Sequence, residues 1–142
     1  MKLRTSALKI LGIFLWIGIA ASVWAGDETA AKQRVFFKNL KDGQVVASPV
    51  AVEMGVEGMT VGKAGEIKEG EGHHHIIVDG AAVTTGEAVT KDDTHIHFGA
   101  GQTEASVPLT PGKHTLTLQF ADGAHRSFGP DLSSTVTVEV KG

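Results

Sequence analysis

The chain has 142 residues, a formal net charge of −3 and no cysteine. The absence of cysteine excludes disulfide-stabilised scaffolds and thiolate zinc sites. The protein therefore needs a hydrophobic core of its own, and any metal site must use His, Met, Asp or Glu. The mildly acidic balance gives no electrostatic reason to expect nucleic acid or an anionic membrane as a partner.

The N-terminal residues are typical of a signal peptide. Lys2, Arg4 and Lys9 place positive charge before an apolar run at residues 10–21. This run is shorter than the roughly 20 residues that span a bilayer, and small side chains suited to cleavage follow it. We therefore expect residues 1–25 to be removed during export, which leaves no stable membrane span and a periplasmic or secreted protein. An uncleaved anchor is the alternative.

The rest of the chain suits a single domain. We predict a short flexible N-terminal segment at residues 26–33 and one domain at residues 34–142. Most of the glycines lie between short apolar runs, and no sustained 3.6-residue apolar repeat indicates a long helix. The domain is therefore expected to be built from strands.

Alternating apolar and polar residues recur between turn signals such as Asp79-Gly80 and Asp122-Gly123. About seven short runs have this β-type character, and the Gly-rich residues 62–72 are expected to form an exposed loop. The predicted strands are residues 34–38, 50–56, 72–78, 95–98, 105–109, 114–120 and 135–140. This pattern predicts an all-β, immunoglobulin-like antiparallel sandwich, with a small closed barrel as the alternative.

Five of the seven histidines lie in two clusters, at residues 73–75 and at His95 and His97. On an extended strand an H-x-H pair places both rings on one face, because side chains alternate with period two. Imidazole is the commonest protein metal ligand. A transition-metal ion is therefore the leading hypothesis for the partner of this chain.

We predict that the first ligands are His73, His75, His95 and His97. Further candidates for completing or orienting the site are His74, His114, His125 and Met59. A thioether beside imidazoles favours copper, whereas histidines with a carboxylate suit zinc or nickel. The sequence leaves the metal open, with copper placed first and zinc second.

Four segments carry a family resemblance: Val56 to Met59, Gly72 to Asp79, His97 to Glu104 and Pro111 to Asp122. In this order they resemble the domain-of-unknown-function 4399 family, over roughly residues 34–140. The resemblance implies a small exported bacterial domain that stands alone. It marks these family-pattern positions: His73, His74, His75, His97, His114 and His125.

Three functions remain open at this point. The first is an exported β-sandwich that binds copper or zinc for buffering or for delivery, with another periplasmic protein as a further partner. The second is a structural or interaction module whose histidines only make hydrogen bonds. The third is a metal-dependent periplasmic enzyme, which is less favoured because the chain has neither a G-x-S-x-G nor an H-E-x-x-H motif.

Overall fold

The computed structural model describes residues 31–142, and the predicted signal peptide and residues 26–30 lie outside them. The described chain is all-β, as predicted, with nine strands and one short 3-10 turn, Pro130–Leu132. The strands are β1 (Arg34–Phe37), β2 (Gln44–Val46), β3 (Val50–Glu57), β4 (Thr60–Val61), β5 (Glu71–Val78), β6 (His95–His97), β7 (Glu104–Val107), β8 (Gly112–Ala121) and β9 (Ser133–Val140).

These strands form two sheets. One has the order β1-β3-β7, and the other has the order β2-β9-β8-β5-β4, with β6 also paired to β5. All pairs are antiparallel except β2 with β9 and β4 with β5, which are parallel. The expectation of about seven strands, all antiparallel, therefore omitted β2 and β4. Each is too short, at three and two residues, to show an alternating pattern.

The two sheets enclose one hydrophobic core. On β8, Leu116, Leu118 and Phe120 are fully buried and point into it, as their alternation predicted. Burying a side chain of this size contributes about 1.5–3 kcal/mol. The other sheet contributes buried side chains of β1, β3 and β7, including Met54. On β5 Ile76 belongs to this core and Val78 packs against it, which places the even-numbered residues of β5 on the inner face.

The outer face of β5 is also buried, because loops cover it. The Val83 backbone N–H donates to Gln119 Oε1, and Thr117 Oγ1 donates to the Gly80 carbonyl, so the 79–94 loop lies across β8 and β5. The Val89 backbone N–H donates to the His125 carbonyl, which ties that loop to the turn after β8. The predicted loop is mostly exposed over residues 62–70, but Glu71 and Gly72 belong to β5 and not to the loop. Within residues 31–142, no helix has the length and apolarity needed to cross a membrane.

Candidate metal centre

Strand β5 places two imidazoles side by side on the outer face of its sheet. His73 and His75 are both 0% exposed. Their Nε2 atoms lie 3.0 Å apart, and their ring centroids lie 4.8 Å apart. Because β5 pairs with β8 on one side and with β4 and β6 on the other, its backbone holds these two rings firmly.

Strand β6 adds the third ring. Its register pairs His97 directly with His75, and cross-strand partners point to the same face of a sheet. The His97 ring centroid lies 5.0 Å from that of His73 and 5.1 Å from that of His75. A Cβ atom at Gly99 would overlap the His97 ring, so only glycine leaves room for the ring in this position.

The fourth ring comes from the turn after β8. His125 Nε2 lies 3.0 Å from His97 Nε2, and the His125 ring centroid lies 5.1 Å from that of His73. His125 has a φ of 65°, in the left-handed region that non-glycine residues seldom occupy. The turn therefore holds His125 in an unusual backbone conformation that aims its ring at the other three.

Asp122 shapes this turn. Its Oδ1 accepts the backbone N–H of Ala124 at 2.9 Å and that of Arg126 at 3.0 Å, and its Oδ2 accepts Arg126 Nε–H at 3.1 Å. Burial raises the pKa of Asp122, but the hydrogen bonds from Arg126 and Ala124 outweigh it and leave the pKa below its usual value. The carboxylate is therefore ionised, which strengthens the hydrogen bonds that define the turn.

The electrostatics of the cluster favour neutral rings. Burial, followed by repulsion from His97 and His125, lowers the pKa of His73 to about 4. Burial, followed by repulsion from His73 and His97, lowers the pKa of His75 to about 3. The pKa of His97 is also lowered, first by burial and then by His125. At neutral pH these rings carry lone pairs available to a metal, because protonated imidazole does not ligate.

The geometry suits one ion shared by several nitrogens. Ring nitrogens of His73, His97 and His125 lie within 4.8 Å of one another. Tetrahedral coordination at 2.0–2.1 Å puts neighbouring nitrogens about 3.3 Å apart, close to the two Nε2 separations of 3.0 Å. In the described part of the chain, His73 Nε2 and His75 Nε2 have only each other as partners, and the Nδ1 atoms of both rings have none.

Two other predicted ligands lie outside this cluster, although His95 is on the same face of β6 as His97. His95 lies on β6 opposite Ile77, and its Nδ1 hydrogen-bonds to Asp92 Oδ1 at 2.8 Å. His74 lies on the core face, with its ring centroid 5.0 Å from that of Phe120. Among the described residues neither ring nitrogen of His74 has a partner, and burial, then His73, lowers the pKa of His74 to about 4.

The remaining two candidates also lie elsewhere. His114 Nδ1–H donates to Asp79 Oδ2 at 2.7 Å, and His114 Nε2–H donates to the Thr110 carbonyl at 2.9 Å. Met59 packs against the hydrophobic core. Of the eight predicted ligands, the structure brings four together: His73, His75, His97 and His125. Sequence reasoning did not identify Gly99, and it noted Asp122 only as a turn residue.

A family model described as a domain of unknown function, DUF4399, matches residues 52–141. The chain belongs to the DUF4399 family. The match confirms the resemblance found in the sequence, and in this DUF4399 chain it includes all four clustered histidines. Comparison with curated proteins gives no match, and neither does comparison with solved structures.

Proposed function

We propose that the protein binds one first-row transition-metal ion through His73, His75, His97 and His125, and buffers or delivers that ion outside the cytoplasm. One observation carries the proposal: the four rings converge, with every pair of ring centroids within 6.0 Å. They come from three separate segments of the chain, so the convergence is a product of folding.

The choice of metal follows from the ligand atoms. Four imidazole nitrogens suit Cu²⁺ and Zn²⁺, and Cu²⁺ binds more tightly to a given nitrogen site by the Irving–Williams order. A thioether would have favoured Cu⁺, but Met59 packs against the core. Copper in its divalent form is therefore placed first and zinc second.

Buffering or delivery is favoured over catalysis by the number of ligands. Ring nitrogens of three of the four, His73, His97 and His125, lie within 4.8 Å of one another, and the proposal counts His75 as the fourth ligand because its Nε2 lies 3.0 Å from His73 Nε2. Four protein ligands complete a tetrahedron, whereas catalytic zinc sites keep one position open for water or substrate. His97 and His125 are only partly buried, so an ion can reach them from solvent. Export of the protein remains the expectation derived from residues 1–25.

A second candidate function is a module whose histidines only make structural hydrogen bonds. His95 with Asp92 and His114 with Asp79 are pairs of this kind. The two Nε2–Nε2 distances of 3.0 Å also have the length of N–H···N hydrogen bonds between neutral rings. This candidate predicts that metal and chelator leave the protein unchanged.

The finer fold class is part of the same proposal. The order β1-β3-β7 corresponds to strands A, B and E of an immunoglobulin-like domain, and β9-β8-β5 corresponds to strands G, F and C. On this assignment β6 is an additional strand beside C. We therefore favour an immunoglobulin-like sandwich over a closed barrel.

The test uses protein expressed from the full-length sequence and purified without a histidine tag. Equilibrium dialysis against Cu²⁺ or Zn²⁺ is expected to give one ion per chain. His97→Ala should lower the affinity strongly, whereas His95→Ala is the matched control, because it removes an imidazole from the same strand outside the cluster. No stoichiometric uptake by the wild-type protein would overturn the proposal, and equal losses in the two variants would contradict the assigned ligands.

A further inference from the structure

We propose that Asp122 is a positioning residue for metal release, because its carboxylate holds the turn that presents His125 to the ion. This inference rests on the proposed function and deepens it. According to this inference, His125 is the ligand that dissociates first when the ion is transferred to an acceptor.

The four ligands are held unequally. His73 and His75 lie within a strand that is hydrogen-bonded on both sides, and both are 0% exposed. His97 lies on the three-residue edge strand β6, and His125 lies in a turn; both are partly exposed. We therefore expect His73 and His75 to stay bound to the ion while the ion exchanges its bonds to the partly exposed pair, His97 and His125.

Within that exposed pair, the turn carries the more easily displaced ligand. Backbone pairing to β5 fixes His97, since its register partner is His75. His125 is held instead by Asp122: the His125 backbone N–H donates to the Asp122 carbonyl at 2.9 Å, and Asp122 Oδ1 accepts the backbone N–H groups on both sides of His125, those of Ala124 and Arg126. The φ of 65° at His125 shows how far this arrangement departs from ordinary extended backbone.

Other contacts hold the rest of the turn, so losing the Asp122 hydrogen bonds should not detach it. The Gly123 carbonyl accepts the Gly65 backbone N–H at 2.7 Å, and the His125 carbonyl accepts the Val89 backbone N–H at 2.8 Å. A Cβ atom at Gly123 would overlap the Glu66 carbonyl, which shows how closely the two backbones approach. The specific effect of Asp122 is therefore the direction of the His125 ring.

Two substitutions separate positioning from simple charge attraction. Asp122→Asn keeps an oxygen that accepts both backbone N–H groups but removes the negative charge and the acceptor of the Arg126 Nε–H. Asp122→Glu keeps the charge, but its longer side chain misplaces the acceptor. Positioning predicts that Asp122→Asn binds metal nearly as wild type does. Asp122→Glu should lose roughly 10- to 100-fold in affinity, mainly through faster release to a chelator. The opposite order would overturn the inference.

A double-mutant cycle with His125→Ala shows whether Asp122 acts through His125. Asp122→Glu should have no further effect on metal release in the His125→Ala protein, because the ligand that it positions is gone. Full additivity would contradict the inference. The matched control is Asp42→Ala, which removes a carboxylate that accepts the Thr137 backbone N–H at 2.8 Å in a different turn.

These outcomes are distinguishable from failure of the proposed function. If wild-type protein binds no metal, the proposed function fails together with this inference. If wild-type protein binds metal and the Asp122 variants release it at the wild-type rate, only this inference fails. Thermal unfolding of the metal-free variants, measured in parallel, checks that the change in release is not a loss of fold.

Discussion

Histidines near the two ends of β5 occupy opposite electrostatic environments. At its start, His73 and His75 face other imidazoles, and burial with mutual repulsion lowers their pKa values to about 4 and about 3. Just beyond its end, Asp79 accepts a hydrogen bond from His114, and this contact raises the pKa of His114. The same side chain is thus kept neutral at one end and favoured as a cation at the other.

The partners explain the difference. His114 Nδ1 contacts the Asp79 carboxylate, and His114 Nε2 contacts the Thr110 carbonyl and, at 3.2 Å, the Thr110 hydroxyl. The contact with Asp79 is the main reason why the pKa of His114 is raised. No carboxylate belongs to the metal-capable group formed by His73, His97 and His125 among the described residues. The carboxylate beside His114 therefore favours its protonated form, whereas His73 and His75, which lie beside other imidazoles, keep lone pairs for a metal.

The largest expected effect is an acid-induced loss of stability from the cluster. Unfolded His73 and His75 titrate near 6.5 but take up protons in the folded protein only near 4 and 3. As pH falls from 6.5 toward 4, the unfolded state binds protons that the folded state does not, so the free energy of unfolding of chelator-treated protein should fall by several kcal/mol. Urea titrations at a series of pH values measure this.

The variant His75→Gln isolates the contribution of one ring to the acid-induced loss of folding stability. Its stability should depend less on pH than that of wild type between pH 6.5 and 4, because glutamine does not titrate. Identical pH profiles for the two proteins would show that the His75 ring is not kept neutral by folding.

A smaller effect is expected from the substitution Gly99→Ala, which tests whether metal binding depends on the close packing of Gly99 against the His97 ring. Gly99→Ala places a methyl group where the His97 ring lies, so we expect His97 to move and the metal affinity to fall roughly 10- to 100-fold. Gly142→Ala is the control, because its Cβ atom would meet nothing closer than Pro111 Cβ at 3.8 Å. Competition with a chelator gives both affinities, and unchanged binding by Gly99→Ala would place His97 outside the site.

The smallest effect concerns the charged histidine. The raised pKa of His114 means that its stabilisation is complete below about pH 6.5 and is lost as pH rises through the folded-state pKa. Because the Asp79 side chain is 51% exposed, we expect His114→Ala to cost only about 1 kcal/mol near pH 6. The cost should shrink at alkaline pH, and metal affinity should stay at the wild-type value. Thermal unfolding across this pH range measures the first expectation, and a large loss of metal binding would contradict the second.

Much of the fold was accessible from local patterns. The alternation in residues 114–120 predicted which side of β8 faces the core, and the strand containing residues 73–75 was expected within a residue of its observed start. The two omitted strands each pair in parallel with another strand, β2 with the distant β9 and β4 with the next strand, β5, where Thr60 lies opposite Glu71. Strands of two or three residues are defined by those partners, because too few side chains alternate to reveal them.

The candidate site was only partly predictable. The H-x-H spacing placed His73 with His75 correctly, but the same reasoning grouped His95 with His97. In the structure Asp92 binds the His95 ring, and the distant His125 occupies the place that His95 was expected to take. By spacing alone, His95 and His125 were equal candidates for the place beside His97. The hydrogen bond from His95 to Asp92, three residues away, and the turn that brings His125 to His97 from 28 residues away decided which of them joins the cluster.

The sequence by itself determined the all-β class, the family and the shared face of His73 and His75, because strand alternation is a local property of the backbone. Only the tertiary structure decided which histidines meet. The β5–β6 register sets the place of His97, and the turn held by Asp122 sets the place of His125. The β5–β6 register, and the contacts that join this turn to Gly65 and Val89, connect segments distant in sequence, and residue spacing does not encode such contacts.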